Sequence, residues 1–231
     1  METILFGWPY AGLGLAALLL VWLGVEKRRE GAPPRWQDPV FVLPLLWPMY
    51  LVHQFEEHGI DALGRHYAFL EGMCRSLGYA VSGCPADPAF IFAVNVPGGQ
   101  VTFALAWLFR RRNPLVAACA WGVAFVNGVA HVGSALANQA YNPGTVTSLV
   151  LFAPLGALML RSVLKSGAIR RIDVLRILAS GIALHAVLMG SLLLRARGWL
   201  PHTALILVNA TNGLWPLVFG WSGAKRTATA G

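Results

Sequence analysis

The sequence predicts an all-α fold: a polytopic membrane helix bundle of about seven transmembrane helices, with the N-terminus outside and the C-terminus inside. Three observations predict it. Of 231 residues, 56% are hydrophobic and only 12% charged, where a soluble domain carries about 45–50% and 25%. The apolar residues gather into runs of roughly 20, the length a helix needs to cross a bilayer. Fourteen of the eighteen Lys and Arg residues fall in alternate connecting segments, the asymmetry that marks cytoplasmic loops. One transmembrane domain, residues 1–231, accounts for the length.

Runs this long and this uniformly apolar are helices rather than barrel strands. The first, 4–25, reads as a retained helix, since only Glu2 precedes it and a signal peptide needs a basic leader. Lys27, Arg28, Arg29 and Arg35 follow on the inside. The second run, 39–60, ends in His53-Gln54-Phe55-Glu56-Glu57-His58. The long loop after it lies outside and holds Cys74 and Cys84, which an oxidising compartment would let pair; two free thiols are the alternative. Cys119 reads as a small packing residue, and no cysteine spacing suggests a zinc site.

The third run, 89–109, carries Asn95 and a Pro97-Gly98-Gly99 sequence able to break a helix, and Arg110, Arg111 and Arg112 close it on the inside. The fourth, 114–136, carries Asn127 and His131 at i, i+4, with Ser134 and Asn138 continuing the stripe. It ends in Tyr141-Asn142-Pro143-Gly144, a turn sequence. The fifth is 145–164, the sixth is 174–194 with His185 near its middle, and the seventh is 202–221 with Asn209 and Asn212. Arg161, Lys165, Arg170, Arg171 and Arg176 lie inside between the fifth and sixth, and Lys225 and Arg226 follow the seventh. Trp8, Trp22, Trp107, Trp199 and Trp221 fall near span ends, as an aromatic belt would. The net charge of +8 does not imply nucleic acid, because the basic residues form short clusters between apolar runs. Those clusters set topology, with an anionic-lipid headgroup site as the sharper alternative.

The chemistry concentrates in the second run. A charge at the bilayer centre costs about 2.5–3.5 kcal/mol on insertion scales and less near the interface, so two adjacent glutamates between two histidines call for a reason. In a helix His53, Glu56 and Glu57 share one face at i, i+3 and i+4. With the orientation fixed, His131, Asn95 and Asn209 fall at similar depth toward the outer side, and polar residues gathered at one depth are how bundles build buried sites. The expected ligands of a divalent metal, zinc or iron, are His53, Glu56, Glu57 and His131. Glu56 and Glu57 are also the catalytic candidates, one as general base. His58, Asn95, Asn127, His185 and Asn209 are expected around the ligands. His66 and His202 read as ordinary interfacial residues, and Asp61, at i+4 from Glu57, either extends that face or caps it with solvent contact. The helical zinc motifs His-Glu-x-x-His and His-x-x-Glu-His are not matched, and the di-iron Glu-x-x-His runs in the reverse order.

A span carrying His53-Gln54-Phe55-Glu56-Glu57, followed by a later span with Asn127 and His131, resembles the HXXEE-motif family of bacterial integral membrane proteins over roughly residues 40 to 160. The resemblance implies a multi-pass protein of the bacterial inner membrane. It also implies that His53, Glu56, Glu57 and His131 are the functional candidates, with an enzyme or metal site expected.

The residues fit best a membrane-embedded metal-dependent hydrolase or oxidoreductase. Its substrate would be a lipid-like or small hydrophobic molecule near the outer leaflet, with membrane lipid as the surrounding partner. Two other classes stand beside it. One is a proton-coupled transporter, since intramembrane Glu and His relay protons, although no inverted repeat is evident. The other is a non-catalytic membrane protein whose polar cluster is structural.

Overall fold

The computed structural model describes residues 2–224, and Lys225 and Arg226 lie outside the described residues. The fold is all-helical; a single bridge between Ile60 and His66 is the one β pairing among the described residues.

Helix starts follow a recurring pairing of an Asx residue with proline. Asp38 accepts a hydrogen bond from the Val40 amide before α2 (Pro39–Val42). Asp87 does the same for Phe90 before α5 (Pro88–Ala93), and Asn113 for Val116 before α7 (Pro114–Asn138). In each case the side chain satisfies an orphan amide, and proline fills the first turn, where no N–H is needed.

Around these starts the chain runs as follows. Helix α1 is Glu2–Val25. After α2, a 3-10 turn at Leu43–Leu45 leads into α3, Leu46–His58. The loop helix α4 is Ala68–Ser76. Helix α5 passes through a π-helical segment, Val94–Gly99, into α6, Gln100–Phe109. After α7, the short α8 (Thr145–Thr147) continues through a second π segment, Ser148–Phe152, into α9, Ala153–Lys165. Helix α10 is Val174–Ala196; α11 (His202–Thr211) and α12 (Trp215–Ala224) join through a 3-10 turn.

Six of these stretches are long and apolar enough to cross a membrane: Thr3–Val25, Pro88–Phe109, Pro114–Asn138, Thr145–Lys165, Arg171–Ala196 and His202–Trp221. The seventh expected span, 39–60, does not join them. Its 3-10 turn interrupts the helix, and α3 spends five of its last six positions on His53, Gln54, Glu56, Glu57 and His58. The least apolar segment is therefore the one that carries the candidate site.

Helix α7 is the axis of the bundle and packs against α10, α12 and α6. Its contact with α10 is backbone on backbone. A Cβ on Gly122 would lie 1.9 Å from the Ile177 carbonyl oxygen, and one on Gly181 would lie 2.0 Å from that of Gly122. Small residues at such a crossing let dispersion and close packing hold helices where lipid supplies no hydrophobic drive. Polar ties add to it. The buried Trp121 indole donates to the Leu43 carbonyl at 2.9 Å, and Asn212 donates to Leu184 O at 2.9 Å. At one end of the bundle Arg110 and Arg111 share Glu26, at 2.6 and 2.9 Å. At the other, a Cys74–Cys84 disulfide ties α4 to the segment before α5, so the two loop cysteines are paired.

Candidate metal centre

Helical spacing sets the first part of the site. His53 and Glu57, one turn apart on α3, bring Nε2 to 3.4 Å from Oε2. Packing of α3 against α7 sets the second part, because His131 Nε2 lies 2.7 Å from Glu57 Oε1. One ligand atom from each of the three residues falls within 4.8 Å of the other two. All three are at least 96% buried.

Hydrogen bonds decide which imidazole atoms are free. Thr147 donates its hydroxyl to Glu56 Oε2 at 2.5 Å. That hydroxyl can then only accept from His53 Nδ1, 2.7 Å away, which makes Nδ1 the protonated nitrogen. Nε2 keeps its lone pair, faces Glu57 and has no hydrogen-bond partner. His58 gives the same result from another direction. Asn95 Nδ2 donates to Ile91 O at 3.0 Å, which orients the amide, and also to His58 Nε2 at 3.2 Å. His58 Nε2 is thus an acceptor, 3.7 Å from Glu57 Oε2. Lone pairs of His53, Glu57 and His58 converge, and Gln54 Nε2 at 2.7 Å is the neutral donor to Glu57 Oε2 among them. Acceptors crowded in a dry interior are stabilised by a cation.

His131 has a more adaptable partner. Asn142 Nδ2 lies 2.9 Å from Nδ1, and the Pro143 backbone also hydrogen-bonds the ring. Were that amide turned by half a turn, its oxygen would accept from Nδ1–H and leave Nε2 free to ligate.

Glu56, adjacent to Glu57, points elsewhere. Its Oε1 accepts from Tyr141 Oη at 2.8 Å and the Val146 amide at 3.1 Å; its Oε2 accepts from the Thr147 amide at 2.8 Å as well as the Thr147 hydroxyl. The two amides belong to the first turn of the helix that α8 opens, so the carboxylate closes a helix N-terminus from a neighbouring helix. Burial, and then the Glu56 carboxylate beside it, push the Tyr141 hydroxyl well above its ordinary range. Tyr141 therefore stays a donor at physiological pH.

Gly144 makes this junction possible. Its φ is +92°, and a Cβ there would lie 2.8 Å from His131 Cε1 and 2.9 Å from His53 Cε1. Above the site, Phe69 of α4 packs tilted against His131 and edge-on against His58, with ring centroids 5.5 and 5.3 Å apart.

The other expected residues divide. Asn95 reaches the site through His58. His185 instead bonds the Gly181 carbonyl of its own helix at 2.8 Å, and Asn209 bonds Ser191 and Leu205. Asn127 presents a buried Oδ1 with no partner, one turn below His131. Asp61 pairs with Arg65, His66 faces Tyr10, and His202 pairs with Asp87, none of them with His53, Glu57 or His131. Sequence reasoning missed Thr147, Gly144 and the contact of Gln54 with Glu57. The available signal was polar Thr145-Val146-Thr147 directly after a Pro-Gly turn, which marks a helix N-terminus able to receive an anion.

A family model described as a protein of unknown function with HXXEE motif matches residues 44–159, which include His53, Glu57 and His131 as well as Thr147 and Glu56. The chain belongs to that family. No match was found among curated proteins or among solved structures.

Proposed function

We propose that this HXXEE-family chain is a membrane-embedded, metal-dependent enzyme. His53 Nε2, Glu57 and His131 Nε2 would hold one divalent ion, zinc or iron. The observation that carries the reading is the His53–Thr147–Glu56 chain. It fixes the imidazole with Nε2 bare and aimed at Glu57. A carboxylate acting through an intermediate to orient a ligating histidine is a recurring support for metals.

The donor set, two histidines and one glutamate, leaves a fourth position for water or substrate. An ion there supplies Lewis acidity or redox capacity. The chain's own residues do the rest. Glu56, with four donors on it, serves as the anchor of Thr147 and α8 rather than as a ligand or base, which narrows the sequence expectation. Glu57, which faces the imidazoles and takes one hydrogen bond from Gln54, is the carboxylate placed to ligate or exchange a proton. Gln54 and His58 flank it and form the polar wall of the reaction space. Burial excludes bulk water, and Phe69 closes the outer side.

The substrate class that fits is a lipid-like or small hydrophobic molecule, reached from the end of the bundle bearing α4. In this reading the protein crosses the bacterial inner membrane seven times as one domain, N-terminus outside. Support for the seventh crossing comes from Glu26 and Arg110. The ends of α1 and α6 meet there; with both on one side of the membrane, the chain between them crosses an even number of times, and 39–58 is the segment available to accompany Pro88–Phe109.

Elemental analysis of protein purified without chelator tests the reading. The expected result is about one zinc or iron per chain, lost in His53→Ala and His131→Ala while helix content persists. Metal-free protein that resists reconstitution would leave the structural cluster, which the self-satisfied Glu57–His131 pair favours. Proton-linked uptake in vesicles would favour the carrier, which the π-helical break at Pro97 favours.

A further inference from the structure

We infer that the bundle carries a second binding site, at the end opposite the histidines, for the phosphate of an anionic phospholipid headgroup. The inference is independent of the metal reading. The last two turns of α9 run past the segment that precedes α2. Between them lies a cleft of about 200 Å³ lined by Trp36, Gln37, Arg161, Ser162, Lys165 and Ser166. Arg161 lies fourteen residues beyond Thr147, about 21 Å along the helix, so cleft and metal centre sit at opposite ends of one span.

Charge points to the ligand. Arg161 and Lys165 stand at i, i+4, where like charges on a helix face repel. Neither forms an ion pair among the described residues. At this end Arg110 and Arg111 share Glu26, and Arg170 and Arg176 share Asp173; Lys27, Arg29, Arg112 and Arg171 also form no ion pair among the described residues, but Arg161 and Lys165 line the cleft. The walls are tied together without any ligand, because Ser162 at the floor donates to the Gln37 carbonyl across the cleft at 2.9 Å. An anion entering here meets two cations one helical turn apart on the same wall.

Depth and chemistry favour lipid over free phosphate. The cleft opens where the apolar stretch Thr145–Lys165 ends, the level of a headgroup. Trp36 stands at its rim with an exposed indole braced edge-on by Phe41, 5.3 Å between ring centroids. Indoles partition to the membrane interface, and the Arg and Lys stems give an apolar lining for the glycerol end of a lipid.

The test titrates delipidated protein in detergent with phosphatidylglycerol, phosphatidylcholine or inorganic phosphate, read by native mass spectrometry and thermal shift. Phosphatidylglycerol is expected to bind and stabilise, and the other two to do neither. Arg161→Gln with Lys165→Gln should weaken phosphatidylglycerol about thirty-fold, the equivalent of about 1 kcal/mol for each charge. Lys27→Gln with Arg29→Gln, the same charge change outside the cleft, should weaken it less than threefold. Ser166→Trp, which fills the cleft and keeps both charges, should match the cleft pair and guards against misfolding of the double variant. Equal loss in the two double variants, equal binding of phosphatidylcholine, or inorganic phosphate competing at equal concentration would each overturn the assignment.

Discussion

Glu57 Oε1 meets His131 Nε2 at 2.7 Å, and this contact joins α3 to α7 inside the bundle. Both groups are buried, so removing one strands the other in a medium that cannot solvate it. Glu57→Gln is expected to destabilise the metal-free protein by about 3–5 kcal/mol and to abolish metal retention. Denaturation in detergent and elemental analysis measure the two effects. A variant as stable as the parent would show that the pair contributes nothing to the bundle.

Thr147 separates support from ligation. Thr147→Val keeps the volume and the backbone amide that bonds Glu56 but deletes the hydroxyl between Glu56 and His53. Metal affinity should fall about 10- to 100-fold, and Thr147→Ser should restore it. Competition with a chromophoric chelator gives the number. Affinity unchanged in Thr147→Val would remove Glu56 from any role at the metal.

Gly144 should tolerate no side chain. At φ +92° a Cβ is strained by about 1–2 kcal/mol and would also press on both imidazoles. Gly78 is the control, with φ +81° and nothing within 4 Å of its Cβ position. Gly144→Ala is expected to lose metal and considerably more stability than Gly78→Ala, as read by thermal unfolding of the two side by side. Equal losses would mean that the rings yield freely.

Phe69 and the disulfide should act together as a cover. Phe69 rests on His58 and His131, and Cys74–Cys84 ties its helix α4 down. Phe69→Ala, or reduction by a dithiol, should speed stripping of metal by a soluble chelator at least several-fold with little change in affinity. Stopped-flow release kinetics distinguish the two quantities. Release rates equal to the parent's would place the entry path elsewhere.

The crossing of α7 with α10 should be the least forgiving packing contact. Gly122→Ala puts a methyl within 1.9 Å of the Ile177 carbonyl oxygen, so the helices must separate. A loss of about 1–3 kcal/mol, typical of overpacking, is expected, with metal affinity preserved because His131 lies nine residues further along α7. Loss of metal before loss of helix content would contradict that division.

The sequence by itself determined the all-helical class and the order of the helices. It also determined which segment is burdened with charge, because each is a property of local composition and period. The same local period put His53 and Glu57 one turn apart on a helix face, and the depth pattern singled out His131. What it did not determine was the division of labour between Glu56 and Glu57. Neighbouring residues on a helix point about 100° apart, and only the packing of α3 between α7 and the start of α8 decides what each of them faces. Glu57 meets the imidazoles; Glu56 meets Thr147, Tyr141 and two backbone amides. His185 and Asn209 fell away for the same reason, each satisfied within its own helix or by the next one. Helical periodicity is written in neighbouring residues, whereas the pairing of distant helices depends on close approaches, such as Gly122 on Gly181 and Gly144 between two imidazoles, that no single stretch of sequence contains.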